Sequence, residues 1–212
     1  MDWARQLRVT VAIAVVTTLA FFASLMAGPH ILLQAGFIPL RARVEVPLDG
    51  LPFALVPFFL TPLTATLLHG GWLHLGFNLL MFVYCGRQVE AVLGGLRLAL
   101  LYVVGTYVAA LAQLLVDPAS PTPMIGASGA ISAVLGTYAM LFGRGRVKAF
   151  GPVPGTVVRA LWLAVAWTVL QWGIGIAAGP GPFSIATAAH VGGFVAGLVL
   201  TWPLLEWRYR YG

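Results

Sequence analysis

Six stretches of this chain are apolar enough and long enough to cross a lipid bilayer. They fall at about 8–27, 72–92, 97–116, 124–142, 157–178 and 184–205. A helix rises 1.5 Å per residue, so about 20 apolar residues bridge the roughly 30 Å hydrocarbon core. In that solvent every backbone N–H and C=O must be paired inside the protein, which makes helices the solution for runs of this length. Composition agrees: 60% of the 212 residues are hydrophobic and 8% are charged, against about 25% charged in a soluble domain. Most connections are too short for a second domain. The chain is expected to be all-α, one polytopic membrane domain over residues 1–212 forming a six-helix bundle.

The formal charge of +6 is explained by where the charges lie. With the N-terminus inside, Arg5, Arg8, Arg87, Arg97, Arg144, Arg146, Lys148, Arg159, Arg208 and Arg210 fall at cytoplasmic ends, and only Arg41 and Arg43 fall outside. This positive-inside bias predicts both termini in the cytoplasm. No basic stripe interleaved with aromatics is present, so no nucleic-acid partner is expected. The first apolar run exceeds the roughly 7–15 residues of a signal-peptide core and lacks an A-x-A site, so it reads as a retained helix. Cys85 is the single cysteine, which rules out an intramolecular disulfide and suggests no metal cluster.

One connection is long. Between the first two apolar segments, Pro39, Pro47, Pro52, Pro57 and Pro62 prevent a continuous helix, yet the stretch is largely apolar. It is expected to lie partly in the outer leaflet, packed on the bundle. The links at 117–123 ("DPASPTP") and 179–183 ("GPGPF") face outside, and "GRGRVKAFGPVPG" faces inside.

This topology sorts the polar residues by depth. The second segment runs inward, which puts His69, His74 and Asn78 in or near its outer half. Ser128 is expected about 6 Å below the start of the fourth segment, and His190 about 10 Å below the outer end of the sixth. Serine needs a base to become a nucleophile, and histidine is the usual base near neutral pH. Small residues around both (Gly126, Gly129, Ser132 and Gly136; Gly193 and Gly197) would let the two helices approach closely. Taken alone, Ser128 is better read as a packing residue. His190 shifts the balance, because an ionisable group at membrane depth is costly and is a functional candidate by default.

None of the six acids lies mid-membrane on the outer side, so a Ser–His dyad fits better than a triad. His74 and Asn78, four residues apart on one helical face, can donate hydrogen bonds to a developing oxyanion; packing polar groups across helices is the plainer role. His69 reads as structural, orienting the loop or a water, and Arg87 and Glu90 read as architectural. "GASGA" is not the G-x-S-x-G elbow, and no H-E-x-x-H supports a metalloprotease. A transporter is disfavoured because no ionisable residue is expected to line the inner half of the bundle.

Taken together, "HGGWLHLGFN" with His69, His74 and Asn78, "GASG" with Ser128, and "AHVGGFVAG" with His190, Gly193 and Gly197 resemble the motifs of the rhomboid family of intramembrane serine proteases, in the same order. The resemblance covers residues 69–197. It implies a Ser128–His190 dyad in an outward-opening, water-filled cavity, an oxyanion hole made by the Ser128 N–H, His74 and Asn78, and no cofactor. The implied partners are the bilayer and single-pass transmembrane substrates, unwound near the outer face and cut beside a small residue. The implied location is a bacterial inner (plasma) membrane. Two positions depart from the pattern. Ser132 stands where many bacterial members carry a tyrosine that stacks on the histidine, and the first loop lacks their Trp-Arg pair. The alternatives are an inactive relative that binds transmembrane helices, and a rhombosortase-like enzyme acting on C-terminal sorting tails. Retention of both Ser128 and His190 favours an enzyme.

Overall fold

A computed structural model of the chain describes residues 8–44, 54–143, 147–178 and 186–211. Eight α-helices form among them: α1 (Arg8–Ala27), α2 (Ile31–Ala35), α3 (Thr61–Ala65), α4 (Trp72–Leu93), α5 (Gly95–Val116), α6 (Ser128–Phe142), α7 (Gly155–Ala178) and α8 (Thr187–Tyr211). Two 3-10 turns, Pro39–Ala42 and Phe58–Leu60, lie in the long first connection. The described residues contain no strand, only isolated bridges. Arg5, Pro47, Pro52, Arg144, Arg146 and the link at 179–183 lie outside the described residues.

α1, α5 and α8 are long and apolar enough to cross a membrane. The outer surface suits lipid: Leu19, Met26, Leu73, Phe77, Leu115, Trp162 and Val199 are each more than half exposed. Hydroxyls point inward instead. Thr106 donates to the Tyr102 carbonyl at 2.9 Å, and Thr137 of α6 donates across to the Gly197 carbonyl of α8 at 3.0 Å. Such bonds keep these two hydroxyls paired in an apolar medium. The core fills the space between α4, α5, α6 and α8 with Phe82, Val89, Leu98, Leu101, Val134 and Leu204.

At the end where α4 turns into α5, Glu90 is buried and its carboxylate caps α1. Its oxygens accept from the Val9 N–H (2.9 Å), the Thr10 N–H (2.9 Å) and the Thr10 hydroxyl (2.6 Å). These N–H groups open α1 and have no partner within that helix, and the helix dipole favours an anion there. Arg97 is also buried, donating to the Trp207 carbonyl at 2.9 Å and covering the Trp207 ring. Ionisable groups therefore do line this end of the bundle, which corrects the expectation that none would. Both are engaged in holding helix ends, and that function depends on contacts roughly 80 and 110 residues away. Glu90→Ala strands three donors and is expected to lower stability by about 3 kcal/mol. Thermal unfolding in detergent checks this, with Arg87→Ala, a change on the exposed side of the same helix, leaving the transition in place.

The long connection packs on the bundle. Phe37 and Ala65 bury against Ala110 of α5, with Phe58, Leu114 and Met124 around them. Thr64 donates to the Ala35 carbonyl at 2.6 Å, and Tyr107 of α5 to the Phe59 carbonyl at 3.0 Å. Apolar contact and pairing of the loop's own backbone hold it without a continuous helix.

The fourth apolar segment differs from expectation. It is helical only from Ser128, not from 124, and residues 124–127 are non-helical. Fifteen helical residues span about 22 Å, short of the roughly 30 Å apolar core. The approach to the helix is therefore made by irregular backbone, which at membrane depth must be paired within protein. It is. Met124 and Phe37 exchange N–H to O=C bonds at 2.7 and 3.0 Å, and the Gly126 N–H donates to the Ala65 carbonyl at 2.9 Å. Gly126 has φ +107°, a conformation open to glycine at little cost. Ser128 consequently sits at the first turn of α6 rather than within the helix.

Candidate active site

The close approach of α6 and α8 begins with glycine. A Cβ on Gly193 would run into the Gly129 carbonyl, and one on Gly197 into the Ala133 carbonyl. With only hydrogen at these positions, backbone lies directly on backbone, the arrangement that small residues permit between membrane helices. Gly129 does the same toward α5, where its Cβ would stand 2.7 Å from that of Ala109.

That proximity sets Ser128 Oγ 2.7 Å from His190 Nε2. The other ring nitrogen, Nδ1, lies 2.8 Å from Gln171 Oε1 on α7. The Trp167 Nε1–H donates to the His190 carbonyl at 3.2 Å, and its ring stacks on Phe194 with centroids 4.8 Å apart. Ser128 and His190 are both half-buried, so they are sheltered yet reachable. A hydroxyl at this distance from an imidazole can lose its proton as it attacks.

His74 and Asn78 reach the same place from α4. The Gly70 N–H donates to His74 Nδ1 at 3.3 Å, which leaves Nε2 as the N–H of the neutral ring. That Nε2 packs against Gly126: a Cβ there would lie 2.6 Å from it. Asn78 is buried and gives one amide proton to the His74 carbonyl at 2.8 Å, leaving its second N–H available. Ser128, as the first residue of α6, carries an N–H with no acceptor inside the helix, at the positive end of the helix dipole. His74 thus packs on the backbone that leads into Ser128, and Asn78 lines a small cavity together with Ala127.

His69 is buried, and its ring meets His74 edge-on with centroids 5.0 Å apart. It does not touch Ser128 or His190 through any hydrogen bond in the structure; its place is behind His74. Ser132, one turn after Ser128, folds its hydroxyl back on the Ser128 carbonyl at 2.8 Å.

Gln171 is the group the sequence reading missed. Its segment reads "WTVLQWGIG", a single amide in an apolar run, with no motif around it to mark it out. A buried polar amide also needs a partner in an apolar medium, and α7 runs toward the end of the bundle where His190 lies. That was a usable signal.

The family model described as "Rhomboid domain" matches residues 59–207. The chain is 32% identical over 143 residues to the mitochondrial Rhomboid protein 1 of Saccharomyces cerevisiae, covering 63% of this chain and 38% of that protein. It is 33% identical over 141 residues to Rhomboid-related protein 2 of Mus musculus, covering 65% and 45%. It is 32% identical over 134 residues to the Rhomboid protease GlpG of Pectobacterium atrosepticum, covering 62% and 44%. The matched part spans about two-fifths of the length of these relatives.

Proposed function

Because the chain belongs to the rhomboid family and is an integral membrane protein, we propose that it is an intramembrane serine protease with Ser128 as nucleophile and His190 as general base. The observation that carries this reading is the 2.7 Å approach of Ser128 Oγ to His190 Nε2. In the proposed reaction, Oγ bonds to the scissile carbonyl carbon while its proton passes to Nε2, and the carbonyl π pair moves onto oxygen. The Ser128 N–H, His74 Nε2–H and free Asn78 N–H would receive that oxyanion. Collapse breaks the C–N bond, and the leaving nitrogen takes the proton from His190. Water then attacks the Ser128 ester, with Nε2 again accepting a proton and returning it to Oγ.

The proposed substrates are single-pass transmembrane segments that unwind near the outer face and are cut beside a small residue. A site at the head of a short helix, below the rim of a bundle with an apolar exterior, supports a substrate that arrives from the bilayer. α4, α6 and α7 are taken to cross the membrane with α1, α5 and α8, both termini inside, in a bacterial inner membrane. Reconstitution with a single-pass substrate tests the reading: two fragments whose new ends map within or beside the spanning segment are expected. A stable complex without cleavage would instead identify a binding protein.

The oxyanion assignment has its own consequence. Asn78→Ala is expected to lower kcat by up to about 10²–10³-fold, the cost of losing one such donor in soluble enzymes, with KM nearly unchanged. A rise in KM alone would move Asn78 to binding or packing.

A further inference from the structure

A base that must accept a proton at Nε2 has to keep its own proton on Nδ1 and hold its ring in one orientation. Ser132, one turn after Ser128 on α6, turns its hydroxyl to the Ser128 carbonyl and so does not hold the ring. α7 supplies what α6 does not. Gln171 and Trp167 are four residues apart and so share one face of α7, and both point at His190. Gln171 Oε1 lies 2.8 Å from Nδ1, while the Trp167 indole N–H reaches the backbone carbonyl of the same residue. The stack of Trp167 on Phe194, one turn further along α8, fixes the register of the two helices.

We propose that Gln171 is a positioning residue: its side-chain oxygen accepts the His190 Nδ1 proton and thereby holds the imidazole with Nε2 bare and aimed at Ser128. An amide oxygen is an acceptor only, so with that atom toward the ring Nδ1 must be the protonated nitrogen. The Ser128 O–H then donates to Nε2, as nucleophilic attack requires. Gln171 is 6% exposed, so its amide is buried among apolar neighbours, where leaving it without a partner is costly. The geometry is that of an acid-free relay, in which a neutral amide orients the base without stabilising its charged form as a carboxylate would. The catalytic consequence rests on the protease reading above; the tautomer itself does not.

The test uses the full chain in detergent or bilayers, with ¹⁵N-histidine NMR to report which nitrogen of His190 is protonated, and cleavage kinetics beside it. In the wild type a single state with Nδ1 protonated and Nε2 bare is expected. Gln171→Leu should give a mixture of tautomers and lower kcat by about 10–10²-fold, less than the roughly 10⁴-fold seen when the wrong tautomer is imposed outright, with KM little changed. Gln171→Glu keeps an oxygen at the same place and should restore the single tautomer. A folded Gln171→Leu protein with wild-type tautomer and kcat would overturn the proposal. So would a wild-type ring bare at Nδ1, which needs no variant to fold. If the tautomer depends on Gln171 while neither wild type nor Ser128→Ala cleaves, the positioning role stands and the protease reading falls. If cleavage depends on Ser128 while the tautomer ignores Gln171, the reverse holds.

Discussion

Ser128→Ala and His190→Ala are each expected to slow cleavage of a reconstituted single-pass substrate by about 10⁴-fold or more, and the double variant to be no slower than either alone. Residues acting as one unit behave in this way: once the proton acceptor is gone the hydroxyl is an ordinary alcohol, and once the hydroxyl is gone the base has nothing to activate. The geometry makes the pair such a unit, with Oγ and Nε2 2.7 Å apart. Both side chains are half-buried at the head of their helices, so truncation leaves the helix packing intact and the thermal transition should hardly move. Multiplicative losses in the double variant would mean that the two residues act separately.

Gly197→Val is expected to abolish most activity and to cost about 3 kcal/mol or more of stability, at the upper end of what overpacking costs in a well-filled core. Gly193→Val should behave alike. Neither glycine has chemistry of its own. Their effect is steric: any Cβ meets the backbone carbonyl of Ala133 or Gly129, and backbone cannot step aside as a side-chain tip can. The helices must part, and a separation of even 1 Å takes Oγ beyond hydrogen-bond reach of Nε2. Gly76→Ala on α4 is the control, since nothing lies within 4 Å of its added Cβ; it should leave the melting temperature level or slightly higher. Wild-type activity and stability in Gly197→Val would show that α6 and α8 do not depend on this contact.

Much of this was legible in the residues themselves. The lengths of the apolar runs marked the long helices, because bilayer thickness constrains length directly. The outer ends of the fourth and sixth segments already put Ser128 near His190, but the depths counted at 1.5 Å per residue ran from residues 124 and 184, whereas α6 and α8 begin at Ser128 and Thr187. The start of α6 was not legible from hydrophobicity, since "PMIGA" is as apolar as the helix after it. The local signal lay in Pro121, Pro123 and Gly126, residues that break or redirect a helix. The partners that hold 124–127, Phe37 and Ala65, come from a loop many residues earlier, and local patterns carry nothing about such pairing. Glu90 capping α1 is hidden for the same reason. Gln171 was hidden differently: its meaning depends on which helix faces His190, and that is decided by packing rather than by the order of segments along the chain.

The assignment of Ser128 as an activated nucleophile is tested by a serine-directed fluorophosphonate probe. The probe bonds covalently to a serine oxygen only when a base has raised that oxygen's reactivity. Wild-type protein in detergent should take up one label, mapped by mass spectrometry to Ser128, and Ser128→Ala and His190→Ala should take up none. A folded wild-type chain that stays unlabelled, or a label that persists in Ser128→Ala, would contradict it.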